Sequence, residues 1–345
     1  MLGPVPKWIV TGGAGFIGAN TVRTLAARGI DAVAVDNLSR PTSALNVDWL
    51  EREAGDAFRL VEADVRDRDA LETAFAAHAD AEAVLHLAGQ VAVTTSVTDP
   101  RFDFESNAIG TFNVLEATRA HLPHAVVINA STNKVYGRLE EHRIEERETR
   151  YVDADFPGGV AETHALDPHS PYGCSKAAAD VYTLDYARIY GLRATSFRQS
   201  CIYGPRQFGL EDQGWVAWFA IATRLGRPIT VFGSGKQVRD LLHVDDLVEL
   251  YLRAVERPEA VTGRAFNVGG GPANTLSLVE LLDRLEPADV SWADERPGDQ
   301  KVFVADAARA RAELGWEPRT PIADGLEQLL AWVDESADAA AAVLA

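Results

Sequence analysis

The chain has 345 residues, 47% of them apolar and 24% charged, with a formal net charge of −18; that leaves room for a large core and two lobes, while the acidity repels nucleic-acid phosphates. Its two cysteines, Cys174 and Cys201, stand alone, match no metal-ligand spacing and suit a reducing compartment. Residues 1–10 carry no basic-then-apolar leader and no apolar run reaches membrane-spanning length, so a cytoplasmic location without a membrane partner is expected.

In chain order, Trp8-Ile9-Val10 reads as a short buried strand. It runs into Thr11-Gly12-Gly13-Ala14-Gly15-Phe16-Ile17-Gly18, and a helix continues to about Arg28. Gly12 permits the tight turn, Gly15 lets the backbone approach a pyrophosphate, and Gly18 brings helix close to strand. The helix N-terminus then offers free N–H groups and a positive dipole end to phosphates. A second strand, 32–36, closes on Asp36, which can accept hydrogen bonds from the adenosine ribose hydroxyls and repels a 2′-phosphate. The cofactor read from this pattern is NAD.

Further strands are expected at 57–61, 83–87, 125–130, 194–199 and 264–268, with helices at 68–78, 103–121 and 172–190. Strand alternating with helix predicts an α/β chain with a doubly wound parallel sheet and right-handed crossovers. The polar stretch 138–170 reads as a long surface excursion. After residue 200, Gly, Pro and Trp interrupt the pattern. Trp215, Trp218 and Phe219 have helix spacing and read as core, and two more helices follow near 276–286 and 306–314. The expected division is 1–199 with about 237–269 as a dinucleotide-binding domain, 200–236 with 270–335 as a smaller substrate lobe, and a frayed, Ala-rich tail over 336–345.

Reactivity concentrates at Tyr172 and Lys176. Ser170 is a good N-cap and Pro171 suits the first helical position, and the i,i+4 spacing sets the Lys176 ammonium beside the Tyr172 phenol. A phenol with a pKa of about 10 needs about 4 kcal/mol of preferential stabilisation to act as a phenolate near neutrality. An exposed ion pair supplies about 1 kcal/mol or less. A second positive charge in a dry pocket, such as an oxidised nicotinamide, closes the gap.

In these residues the chain resembles the extended short-chain dehydrogenase/reductase family, in its nucleotide-sugar branch. The resemblance runs nearly end to end, through the glycine triplet, Asp64-Val65, His86-Leu87-Ala88-Gly89 and Asn107 in Asn-Ala-Ile-Gly-Thr. It continues through Thr132 ahead of Val135-Tyr136-Gly137, the Tyr172/Lys176 pair, Tyr203-Gly204-Pro205-Arg206-Gln207, Arg239-Asp240 with Asp245-Asp246, and Arg296-Pro297-Gly298-Asp299. It implies a Rossmann sheet with a C-terminal substrate lobe, and Thr132, Tyr172 and Lys176 as the catalytic set. It also implies a homodimer or homotetramer built on helices like 103–121 and 172–190. Cofactor contacts are implied at Gly12, Gly15, Phe16, Ile17, Gly18, Asp36, Asn37, Ser39, Arg40, Asp64, Val65, Leu87, Ala88, Gly89, Asn107 and Gln199, besides Tyr172 and Lys176. Substrate contacts are implied at Gln90, Thr132, Asn133, Cys201, Gln207, Lys236, Arg239 and Arg296.

Within that branch, Ser131-Thr132-Asn133-Lys134, Arg206-Gln207-Phe208, Asp212-Gln213-Gly214-Trp215 and Gly235-Lys236-Gln237-Val238-Arg239-Asp240 are similar to the CDP-tyvelose (CDP-paratose) 2-epimerases. Sugar-nucleotide 4,6-dehydratases carry an acidic pair directly after the catalytic Thr, one acid for each proton moved. Here an amide and an ammonium stand there, and neither serves as a general acid in that elimination. At Cys201 the wider family has an Asn that contacts the sugar diphosphate. A thiol is a poor hydrogen-bonder, so Arg239 and Arg296 become the phosphate-binding candidates. Asn133 and Lys134 either touch substrate or brace their loop. The implied activity is inversion at C2 of a CDP-hexose through a 2-keto sugar. A C4 epimerase, a decarboxylase and a non-catalytic NAD-binding sensor are the alternatives.

Overall fold

The computed structural model describes residues 5–287, 289–296 and 299–344. The chain opens with β1 (Lys7–Thr11), α1 (Phe16–Ala27), β2 (Asp31–Asp36), α2 (Pro41–Glu53), β3 (Phe58–Glu62), α3 (Arg68–Ala77) and β4 (Ala83–His86). Short helices α4 (Val93–Thr98) and α5 (Pro100–Phe104) precede α6 (Gly110–His121) and β5 (Val126–Thr132). A hairpin of β6 (Ile144–Glu146) and β7 (Tyr151–Asp153) leads to the long α7 (Ser170–Tyr190) and β8 (Arg193–Gln199). Next come β9 (Cys201–Tyr203), α8 (Trp215–Arg224), β10 (Ile229–Phe232), β11 (Val238–His243), α9 (Val244–Glu256), α10 (Pro258–Val261) and β12 (Ala265–Val268). The chain closes with β13 (Thr275–Ser277), α11 (Leu278–Leu285), β14 (Val290–Ala293), β15 (Val302–Phe303), α12 (Ala308–Leu314), α13 (Ile322–Glu335) and α14 (Ala337–Val343).

The seven strands expected from the sequence form one parallel sheet in the order β12-β8-β5-β4-β1-β2-β3. Strand side chains alternate between two buried faces, as a sheet covered on both sides requires. Trp8, Val10, Ala32, Ala34, Leu85 and Ile128 meet α1, α2, α9 and α12 on one face. Ile9, Val33, Val35, Val84 and Val127 meet α3, α6 and α7 on the other. Each fully buried Val, Leu or Ile contributes roughly 1.5–3 kcal/mol, so both faces are needed to hold the sheet. A third cluster gathers residues of α8, β10, β11, α11 and α13 into the core of the smaller lobe, with Phe219 inside it and Trp215 and Trp218 packed against it.

Three expectations about the chain's course are corrected. Val238–His243 does not return to the central sheet: β11 pairs with β13, β15 and β9 in a separate sheet, and only β12 rejoins the large one. A six-residue run buried throughout fits the middle of either sheet, and periodicity does not say which. The tail is not frayed: α14 is a helix whose Ala340 is buried in the smaller lobe's core, because Ala favours helix and here finds a surface to cover. The expected helix 103–121 is broken, α5 and α6 being joined by a π-helical turn over Glu105–Ile109. That turn carries Asn107, and π turns cluster at functional places.

Candidate active site

β1, β2, β4, β5 and β8 end on Thr11, Asp36, His86, Thr132 and Gln199. Register sets Thr11 opposite His86 and Thr132 opposite Gln199, so these polar residues line up at the carboxyl edge of the sheet. Strand order reverses between β1 and β4, and ligands of doubly wound sheets bind in the crevice at such a reversal.

The glycine turn lies in that crevice. Gly12 has φ +70°, and a Cβ on it would stand 2.7 Å from the Ala88 backbone nitrogen. A Cβ on Gly18 would stand 2.6 Å from Gly13 Cα. At Gly15 it would meet a single atom, Gly12 O at 3.2 Å, which leaves that face open to a phosphate. Gly15 caps α1, begun by Phe16 and Ile17, with no side-chain cap, so the helix's first N–H groups face the crevice as anion donors. The Asp36 carboxylate accepts from Ala14 N at 3.0 Å and Leu38 N at 2.9 Å, while burial raises its pKa against those bonds. Asn37 accepts from Ser39 N at 3.1 Å and donates to Asp64 at 2.9 Å. The Arg66 guanidinium grips Asp64 and holds its carboxyl down at about 2. Arg40 donates to Gln213, and Val65 packs under Gly110. Leu87 N and Ala88 N donate to Thr11, and Gln199 donates to the Tyr251 hydroxyl at 2.7 Å. Gly89 adjoins Asn107, whose buried Oδ1 has no partner among the described residues. The open glycine cradle, the acid at the end of β2 and this orphaned oxygen fit a dinucleotide.

Ser170, at φ +69°, opens α7 and its hydroxyl accepts from Gly173 N at 3.2 Å, while the capping position before the helix falls to His169, which makes no side-chain cap. Tyr172 and Lys176 follow one turn apart and are both buried. Burial pushes the phenol up to about 12; the Thr132 hydroxyl draws it down and Asp103 pushes it further up. Burial lowers the Lys176 ammonium to about 8, opposed by Asp180 and Asp103. One detail departs from expectation: Lys176 Nζ gives its hydrogen bond to the Ala130 carbonyl, not to the phenol. The buried ammonium takes this backbone carbonyl near the end of β5 as its acceptor.

The substrate-side candidates separate into two groups. Asn133, Lys134 and Arg239 converge. Asn133 accepts from Thr132 Oγ1 at 3.3 Å and donates to Gln300 at 2.9 Å, and Gln300 in turn donates to Gly137 O. Arg239 Nη2 donates to Asp299 at 2.6 Å, with Lys134 Nζ 3.6 Å from the same carboxylate. Burial brings Lys134 down to about 8, with Arg239 adding to the fall and Asp299 opposing it. Burial also works against the Asp299 charge, but Arg239 and Lys134 outweigh it and hold that carboxyl below its usual range. The others are engaged elsewhere. Gln90 donates to Ala92 O and Asp103, Lys236 pairs with Glu146 on the exposed hairpin, and Arg296 lies 3.8 Å over the Phe232 ring. Burial pushes the Cys201 thiol up to about 12, and Gln207 donates to Ile202 O while its buried Oε1 has no partner among the described residues. Pro297 and Gly298 of the expected motif lie outside the described residues. Cys174, on α7, is exposed. Sequence reasoning passed over Asp103 and Gln300, which no motif spacing marks.

The model of a family described as the NAD dependent epimerase/dehydratase family matches residues 8–269. The chain belongs to that family. It is NAD-dependent, and the protein is a nucleotide-sugar epimerase, an isomerase. A CDP-paratose 2-epimerase of Salmonella typhi is 43% identical over 94% of this chain and 98% of its own. A UDP-glucose 4-epimerase of Thermotoga maritima, solved with UDP-glucose, has a TM-score of 0.81 at 31% identity, covering 96% of this chain and 99% of that one. A dTDP-glucose 4,6-dehydratase of Streptomyces venezuelae, solved with NAD, has a TM-score of 0.81 at 28% identity, covering 95% and 97%. Among the described residues no helix is long and apolar enough to cross a membrane, and no cluster of His, Cys, Asp and Glu could hold a metal.

Proposed function

We propose that this epimerase inverts C2 of a CDP-hexose of the CDP-paratose/CDP-tyvelose type. The observation that carries the reading is the stretch after Thr132: Asn133 and Lys134 stand there, engaged with Gln300 and Asp299, in place of the carboxylic pair that would move the two protons of a dehydration. The 43% identity to a CDP-paratose 2-epimerase supports it.

When bound, NAD would supply a hydride acceptor that becomes the donor and, in its oxidised form, a positive charge. Gly12, Gly15, Gly18 and Asp36 would hold it at the sheet edge. Tyr172 takes the proton of the C2 hydroxyl as that carbon is oxidised, and returns it when the 2-keto sugar is reduced on its other face. Thr132 donates a hydrogen bond to the reacting oxygen, where negative charge develops. Between the two half-reactions the hexose must turn, so the protein has to hold the diphosphate and leave the ring free. Arg239 would do that work, because a guanidinium fork suits phosphate oxygens. A cytoplasmic site of action is supported by the two free thiols.

The reaction is tested by NMR of the product formed from CDP-hexoses. Inversion at C2 with no solvent deuterium entering that carbon is expected. Inversion at C4 alone, or loss of CO₂, would replace this reading with a C4 epimerase or a decarboxylase, and deuterium at C2 would mean enolisation.

A further inference from the structure

Between β9 and α8 the chain runs from Gly204 to Gly214 without helix or strand. Both ends belong to the smaller lobe, since β9 pairs with β11 and α8 lies in that lobe's core. The segment's side contacts are with the large domain instead, and they fall on both sides of the dinucleotide crevice.

On the β2 side, Arg206 donates from Nε and Nη2 to Asn46 Oδ1, at 2.9 and 2.7 Å, and from Nη2 to Leu45 O at 2.8 Å. Its guanidinium lies 4.7 Å over the Trp49 ring. Asn46 carries the hold inward: its amide donates at 2.9 Å to Ala14 O, inside the glycine turn. Arg40 Nη1 adds a bond to Gln213 Oε1 at 2.7 Å. From α1, Asn20 Nδ2 donates to Pro205 O at 3.0 Å. On the β4 side, Thr94 of α4 donates to Asp212 at 3.1 Å. The crevice lies where strand order reverses between β1 and β4. A segment fastened after β2 at one side and after β4 at the other crosses it.

This crossing is a built element, not slack chain. Leu210 and Gln213 exchange backbone bonds at 2.9 and 3.0 Å, and Arg206 has φ +70°. A residue with a Cβ keeps that left-handed backbone only where its surroundings enforce it, and such residues gather at ligand clamps. The bonds to Asn46 and Leu45 do the enforcing here.

We propose that residues 205–213 are a strap closed over the dinucleotide crevice, fastened by Arg206, and that it sets how long NAD stays bound. Arg206 is a positioning residue, acting through Asn46 and through the strap. An epimerase gives back to the sugar what it takes from it, so losing the cofactor between the half-reactions would strand a keto product. The proposal rests on the family's NAD and not on which sugar carbon is inverted.

The test is exchange of bound NAD in the purified holoenzyme against an excess of isotopically labelled NAD, with no sugar present. Arg206→Met keeps an apolar stem against Trp49 and has no donor. If the strap must open before release, losing the bonds to Asn46 and Leu45 should speed exchange roughly ten- to a hundredfold. Arg206→Lys, which keeps an ammonium donor, should recover part of that retention. Thr94→Val removes the fastening on the opposite side, at an exposed position outside the glycine turn, and should speed exchange roughly threefold. Unchanged exchange in Thr94→Val overturns the strap, even where Arg206→Met fails to fold. Acceleration in Arg206→Met alone overturns it too, because the effect would then belong to the glycine turn. Inversion at another sugar carbon would leave these rates untouched, so the two readings fail separately.

Discussion

The His86 ring sits between two hydroxyls, Thr11 Oγ1 at 2.7 Å from Nδ1 and Thr111 Oγ1 at 3.0 Å from Nε2. Burial, reinforced by the Lys176 charge, holds its pKa down at about 3. An unfolded His takes its proton near about 6.5. Between those values the unfolded chain binds the proton and the folded one does not, so stability falls as pH falls from about 6.5 towards 3. At about pH 4 the loss is on the order of 3 kcal/mol. Denaturant titrations across this range should show His86→Asn with a shallower pH slope than the parent; equal slopes would refute the assignment. Tyr172→Phe belongs to the same scale. It should cut turnover by roughly 10²–10⁴-fold while the purified protein still carries NAD, whereas an NAD-binding sensor would be indifferent to it. Tyr172, Lys176 and the glycines could be read from the chain because their spacing encodes their geometry. Asp103 and Gln300 could not, since each acts through a contact made only after folding, Asp103 with Ser175 across 72 positions and Gln300 with Asn133 across 167.

Among the elements, α1 is the one most exposed to a small change. Gly18 lets it lie against the glycine turn, and Gly18→Ala would drive a methyl into Gly13 Cα. Overpacking of this kind costs about 1–3 kcal/mol and pushes the helix N-terminus away from the crevice. The expected outcome is a lowered thermal midpoint and loss of co-purified NAD, read from absorbance after denaturation. Full NAD content would show that the close approach is not required. All seven strands of the large sheet were readable from apolar runs bounded by turns. Several helices were not. α2 begins after a polar stretch and has few buried positions, Ser43, Asn46 and Leu50, so it shows no apolar stripe. α9 carries one in plain view, in Leu247, Leu250, Tyr251 and Ala254, but it lies in a segment whose neighbouring strand was assigned to the wrong sheet. Local pattern identified the elements; their partners depended on contacts distant in sequence.

At the scale of the molecule, α6 and α7 pack side by side with Phe112 at 6.1 Å from Tyr182 in an edge contact. Yet Val181, Tyr182, Ile189 and Tyr190 are all more than half exposed, Ile189 at 62%. Large apolar side chains gathered on one face mark an association surface, and a second copy presenting the same two helices is the partner that closed symmetry favours. Light scattering should give the mass of a dimer or tetramer for the parent and of a smaller species for Ile189→Asp. An unchanged mass would place the interface elsewhere.

The chain's route has a consequence of its own. After β8 it leaves the large sheet to build β9, α8, β10 and β11, comes back for α9 and β12, and departs again for β13, α11 and β14. Neither lobe is therefore a continuous stretch that could be excised and expressed alone. A cut between β8 and β12 would leave an edge strand of the large sheet on a different fragment from its neighbour β8.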